Sequence, residues 1–142
     1  MKFETKYFGE IDVDENGILQ FEEGILGFED LKKFILLSEG DMIIDWLQCI
    51  EDDITFPIID PFTIKSDYQF DLPEDVAKEL QIEKPEDVIV YTVVVIPEDI
   101  KKIRTNLQGP IIINKEKKLA KQIILSDEYP MRYEFYDKFG DK

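Results

Sequence analysis

The sequence predicts a mainly β protein: a small, single-domain, barrel-like β fold with one or two short helices. Three observations carry that expectation. Short runs of β-branched and aromatic residues recur along the chain, bounded by Gly, Pro, Asn and Asp. The strongest run, Val88–Ile96, is almost continuously β-branched. One segment, Asp71–Leu80, carries the marks of a helix.

The elements follow in order. Thr5–Ile11, with Thr5, Tyr7 and Phe8 favouring extended backbone, reads as the first strand. Asp14-Glu15-Asn16-Gly17 follows as a hairpin turn, because Asn and Gly both accept positive φ. Ile18–Phe21 then returns as a strand. Glu29–Lys33 has room for a single helical turn. Phe34–Leu37, Trp46–Ile50 and Thr55–Ile59 are further strands, and Asp60-Pro61 closes the last of them. In Asp71–Leu80, Asp71 stands near the N-cap and Pro73 in the first turn. Glu74 and Asp75 sit where the helix dipole favours acids. Val76 and Leu80 lie four apart and would face the sheet. Val88–Ile96 asks for burial on both faces, or for a long curved central strand.

Thr105-Asn106-Leu107-Gln108-Gly109 is a polar turn running into Pro110, which keeps Gly109 out of the helical region. Ile111, Ile112 and Ile113 then need a sheet to pack against. Lys115–Lys118 reads as a charged hairpin loop between Ile111–Asn114 and Leu119–Leu125. From about residue 126 the tail is rich in aromatics: Tyr129, Tyr133, Phe135, Tyr136 and Phe139. It either docks on the core, at least in part, or stays mobile. No internal repeat or linker divides the 142 residues, so one domain over 1–142 is expected.

Composition narrows function. The chain has no histidine, which removes the commonest general base and the commonest transition-metal ligand. A Ser-His-Asp triad, a Cys-His pair and a His-bearing zinc site are excluded. One cysteine, Cys49, builds neither a disulfide framework nor an all-cysteine zinc site. Cys49 lies among Trp46, Leu47 and Ile50 and reads as a small buried hydrophobe. The N-terminus lacks the apolar stretch of a signal peptide, and no apolar run is long enough for a bilayer; a cytoplasmic protein is expected. The net charge is −15. Residues 1–71 carry 18 acidic and 5 basic side chains, whereas residues 72–142 carry 14 and 12. Direct nucleic-acid contact is not expected, because it needs concentrated Lys and Arg. A basic protein partner fits better, although acidity also serves solubility alone.

Two segments invite a sharper reading. Asp12-Val13-Asp14-Glu15-Asn16-Gly17 followed by Glu23 matches the calcium-loop pattern D-x-[DN]-x-[DN]-G-x5-E. Such a loop needs an entering and an exiting helix. Gly9 interrupts the first and Gly24 and Gly27 the second, so a β-hairpin turn is preferred. An acidic calcium-binding module built on residues 12–23 stays as the alternative. Phe21-Glu22-Glu23-Gly24-Ile25-Leu26-Gly27-Phe28 reads as an irregular loop whose aromatics plug the core. Its functional reading is an apolar contact surface on a rigid loop, through Phe21, Ile25, Leu26 and Phe28. Glu51-Asp52-Asp53 is an acidic turn between strands, with no sign of the burial that acid–base work requires.

Taken in order and spacing, Phe21–Phe28 (FEEGILGF), Phe56–Pro61 (FPIIDP), Thr105–Asn114 (TNLQGPIIIN) and Gln122–Leu125 (QIIL) resemble the flagellar assembly factor FliW family, over about Phe3 to Tyr133. Gly109 departs from the family, which often has alanine there. The resemblance implies a β-barrel-like bacterial cytosolic protein that is not an enzyme and uses no cofactor. It implies two partners, the RNA-binding translational repressor CsrA and flagellin. Bound to CsrA, such a protein relieves repression of flagellin synthesis without occupying the RNA site. Cytosolic flagellin withdraws it, and export of flagellin resets the loop.

The residue reading fits those partners. A negative surface docked beside an RNA-binding site weakens phosphate binding through its field. Glu51, Asp52 and Asp53, or Asp12, Asp14 and Glu15, are the carboxylates to test. Flagellin termini are amphipathic helices, for which helix-in-groove recognition by Phe21, Ile25, Leu26 and Phe28 is the natural mode. Asn106 and Gln108 are the polar candidates of the Thr105–Asn114 segment. They either touch a partner or satisfy backbone groups in the turn. The competing class, a metal-dependent hydrolase using carboxylates, finds no nucleophile motif and no ligand cluster beyond the 12–23 turn.

Overall fold

A computed structural model describes residues 2–6, 8–38, 43–126 and 128–140. Tyr7 and the side chain of Phe139 lie outside the described residues. The chain is mainly β with two short helices. Its strands are β1 (Lys2–Thr5), β2 (Gly9–Asp12), β3 (Leu19–Phe21), β4 (Lys33–Ser38), β5 (Ile44–Cys49) and β6 (Thr55–Ile59). Helix α1 (Glu74–Glu79) precedes β7 (Val88–Val95), β8 (Arg104–Thr105), β9 (Ile111–Asn114), β10 (Leu119–Gln122) and β11 (Tyr133–Glu134), and α2 (Tyr136–Gly140) follows.

Seven strands close into a barrel in the order β7-β6-β5-β4-β3-β10-β9, with β9 returning to β7. Neighbours are antiparallel except β3 and β10, which pair in parallel through Leu119 with Gln20 and Ala120 with Phe21. β8 and β9 lie along the same edge of β7, interrupted by residues 106–110. β1 and β2 form a separate hairpin, and β11 extends the sheet from β8.

Alternation along the strands builds the layers. Phe21, Phe34, Leu47, Ile58, Ile111 and Ile113 fill the barrel. On the outer wall, Val76 of α1 and Leu80, its C-cap, pack on Ile112 and Ile123, so the two positions four apart do face the sheet. A second outer cluster joins Ile44, Ile59, Val94 and Ile103 to Phe135, which is fully buried. The tail is further held by Tyr129, whose ring meets Tyr68 at 4.7 Å and whose hydroxyl donates to the Gln69 carbonyl. β7 sends side chains into both the barrel interior and the outer wall, but its burial is uneven: Tyr91, Thr92 and Val94 are buried, Val88 and Val90 only partly, and Val95 is exposed.

Three local expectations are corrected. The first is the hairpin at Asp14–Gly17. Residues 15–17 form a 3-10 turn in which the Asp14 carboxylate accepts from the Asn16 N–H at 2.9 Å, and neither Asn16 nor Gly17 takes positive φ. The chain reverses earlier, after Thr5, whose hydroxyl accepts from the Phe8 N–H and donates to the Gly9 carbonyl. The expected first strand is therefore two strands. The second is the extent of the turn expected at Glu29–Lys33: a turn is present, closed by the Leu31 N–H on the Phe28 carbonyl at 3.1 Å, but it stops short of Lys33. The Glu51 carboxylate accepts from the Lys32 and Lys33 N–H groups, and Lys33 already belongs to β4. The third is the cap of α1. Pro73 holds the N-cap position without a side-chain hydrogen bond, and Asp71 stands two residues ahead of it. In addition, β10 ends at Gln122, although the Ile123 and Leu125 N–H groups still donate to the carbonyls of Pro110 and Gln108.

Candidate functional site

The strand directions gather the nominated residues, apart from Asp12, Asp14 and Glu15, at one end of the barrel. The loop from β3 to β4 carries Phe21–Phe28. The turn from β5 to β6 carries Glu51–Asp53. The interruption between β8 and β9 carries Asn106 and Gln108. β10 ends there with Gln122.

Gln122 ties these loops together. Its Oε1 accepts from the Leu26 N–H at 2.9 Å, and its Nε2 donates to the Gly109 carbonyl at 3.0 Å. Phe28 packs edge-on against Phe56 at 5.1 Å, which joins the loop to the start of β6. Residues from all four motifs thus meet at one barrel end. The sequence marks Gln122 and Phe56 only as the first residues of two family motifs, not as site residues. The signal for Gln122 is a lone amide at the head of an apolar run, a residue that needs a polar partner.

The nominated residues divide by exposure. Phe21 and Ile25 are buried, with Phe21 edge-on to Phe34 in the barrel interior. They support the loop from below. Leu26 is 59% exposed and Phe28 39%. Gly24 makes that presentation possible: it sits at φ +68°, and a Cβ there would lie 2.6 Å from Glu29 Cα. The Glu29 carboxylate accepts from the Gly27 N–H, which holds its pKa below the ordinary carboxylate value. Lys32 Nζ donates to the Glu22 carbonyl, and Lys121 pairs with Glu23 of the loop and with Glu79 of α1. The loop is therefore braced on several sides.

The acidic turn is ordered by its own hydrogen bonds. Glu51 accepts from Lys32 and Lys33 as described, Asp52 accepts from the Asp53 N–H, and Asp53 accepts from the Lys6 N–H at 3.2 Å. All three residues are exposed. Asn106 Oδ1 accepts from the Gln108 N–H, and Gln108 Nε2 donates to the Ser126 carbonyl at 3.4 Å, so both amides satisfy backbone groups.

Asp12, Asp14 and Glu15 lie away from this end. Strands β2 and β3 flank them where a calcium loop needs helices. Asp12 and Asp14 share a cleft of about 320 Å³ with Lys115 and Lys118. Among the described residues, no helix is long and apolar enough to cross a membrane.

Comparison with known proteins agrees with the motif pattern. The family model described as FliW protein matches residues 2–135. The flagellar assembly factor FliW of Caldicellulosiruptor saccharolyticus is 50% identical over 138 residues, covering 96% of this chain and 91% of that protein. The same-named protein of Ruminiclostridium cellulolyticum is 41% identical over 142 residues, covering 97% and 96%. A crystal structure of the flagellar assembly factor FliW matches with a TM-score of 0.89 at 34% identity, over 95% of this chain and 96% of that one. A match through sequence, barrel topology and the four converging motifs has one meaning: the chain belongs to the FliW family of flagellar assembly factors.

Proposed function

We propose that this chain is a non-enzymatic cytoplasmic binding protein of flagellar assembly. It antagonises a CsrA-type translational repressor and binds flagellin, exchanging one partner for the other. The observation that carries this reading is the convergence of the four family motifs on one braced barrel end, where exposed apolar and acidic groups stand side by side. Leu26 and Phe28 offer an apolar surface suited to an amphipathic helix of unassembled flagellin. Asp52 and Asp53 offer charge suited to a basic, RNA-binding partner. Phe21, Ile25, Glu51, Asn106 and Gln108 shape that surface through burial and backbone hydrogen bonds. The net charge of −15 opposes direct nucleic-acid binding and lets the bound protein depress the repressor's phosphate affinity through its field.

A competition titration tests this. Labelled CsrA is saturated with the protein, and flagellin is then added. Displacement of CsrA is expected; a stable ternary complex, or no binding of either partner, overturns the exchange.

A further inference from the structure

β7 is apolar on both faces. Ile89, Tyr91 and Val93 pack into the barrel, whereas Val88 and Val90 lie on the outer wall with Ile112, the β9 register partner of Val90. α1 covers part of that wall with Val76 and Leu80. The remainder forms an open groove of about 470 Å³, with Val88, Val90 and Ile112 as its floor and Phe62, Phe70 and Leu72 among its walls. Phe62 stands on the lip, 43% exposed.

The rim is acidic. Residues 71–87 hold seven carboxylates against Lys78 and Lys84. Glu83 and Lys84 both line the groove itself, and the acidic excess comes from Asp71 and Glu128 in an adjoining trough of about 460 Å³ that shares Gln69 and Phe70 with it. The floor is a sheet face and not an edge. Val88–Tyr91 pair with β9, and Thr92 and Val93 pair with β6. An incoming strand would therefore find its main-chain partners on the floor already engaged. A helix satisfies its own main chain and needs only an apolar floor.

We propose that this groove docks an amphipathic α-helix of a partner protein. The helix lays its apolar face on Val88, Val90 and Phe62 and carries Lys or Arg along the flank that meets Asp71 and Glu83. The groove lies on the outer wall around α1, apart from the Leu26–Phe28 surface. The proposal is independent of the exchange between CsrA and flagellin.

The probe is a labelled amphipathic helical peptide of Leu and Lys, titrated by fluorescence anisotropy at physiological salt. Its Leu–Glu counterpart is the control. A chain of net charge −15 draws any basic peptide, so charge-neutral variants decide the matter. Saturable binding of the Lys peptide is expected, weakened about tenfold or more by Phe62→Ser and by Val90→Gln, with little binding of the Glu peptide. Glu83→Lys, on an exposed residue, serves as the variant that keeps the fold, and it too is expected to weaken the Lys peptide. Equal affinity of wild type, Phe62→Ser and Glu83→Lys overturns the proposal. So does equal binding of the two peptides, or no binding of the Lys peptide to the wild type.

Discussion

The Leu26 N–H donates to Gln122 Oε1 at 2.9 Å, joining residues 96 apart in sequence. The same amide reaches the Gly109 carbonyl, so one side chain fastens two loops to the end of β10. Gln122→Ala removes both bonds and is expected to cost about 1–2 kcal/mol, or roughly 3–6 °C in Tm. Gln122→Glu keeps an acceptor for Leu26 but loses the donor to Gly109, and it should fall between the two. Thermal melts of the three proteins check the order.

Gly24 and Gly109 are both crowded, yet their alanine variants should differ. At Gly24 the backbone is left-handed and the new methyl would meet main-chain atoms of Glu29 at 2.6 Å. Gly24→Ala is expected to cost about 2–3 kcal/mol. At Gly109 the φ is ordinary, and a Cβ would meet the ends of two side chains, Asn106 Nδ2 at 2.9 Å and Gln122 Nε2 at 3.0 Å. Those ends yield, so Gly109→Ala should stay within about 1 kcal/mol. Urea denaturation gives both values.

The Tyr91 hydroxyl donates to Asp45 Oδ2 at 2.9 Å. Burial, reinforced by that carboxylate, pushes the phenol well above its ordinary pKa, so it remains a donor. Tyr91→Phe takes the donor away from a partly buried carboxylate and is expected to cost about 1–3 kcal/mol. A Tm indistinguishable from the wild type would contradict this.

Stability and binding should separate across the Phe21–Phe28 loop. Leu26→Ser touches an exposed side chain and is expected to change stability by less than about 0.5 kcal/mol. If the loop contacts flagellin, it should weaken that complex about tenfold or more. Phe21→Ala hollows the barrel interior and is expected to cost about 3–5 kcal/mol. Calorimetry of binding beside a melt for each variant reads both effects.

If the protein antagonises CsrA as proposed, that antagonism should weaken as salt rises, because the field of the acidic surface is screened. Lys replacements at Asp52 and Asp53 are the informative reversals at the loop end. Asp12→Lys with Asp14→Lys probes carboxylates elsewhere on the protein. Glu51 is left intact, since its carboxylate holds the start of β4. Loss of antagonism with the first pair but not the second places the field at the loop end. RNA displacement that ignores salt and both pairs removes the electrostatic account.

The sequence told most where local chemistry and tertiary pairing agree. Val88–Val95, Thr55–Ile59 and the Lys115–Lys118 hairpin lie close to where β-branching and turn residues put them. Asn16-Gly17 misled because the Asp14 carboxylate offered a competing local partner, and nothing in the strand pattern says that β3 prefers β10 and β4 to β2. Inside Phe21–Phe28 the alternation is broken by glycines. Ile25 points inward and Leu26 outward in a turn held by the Ile25–Phe28 bridge and by Gln122, which is far along the chain. The groove over Val88 and Val90 escaped for a related reason. A run apolar at every position but Thr92 gives no sign of which face is covered completely.

The single parallel pair has a consequence for how the barrel forms. Gln20 must find Leu119 and Phe21 must find Ala120, after nearly the whole chain has been made. Every other seam of the barrel joins strands closer in sequence. Loop closure over such a span is entropically costly, and it comes before the contacts that reward it. The seam between β3 and β10 should therefore close last, sealing a curled sheet whose two edges are open until then. A nascent chain held short of residue 119 has no way to hide those edges, which makes this late step the point where aggregation competes with folding.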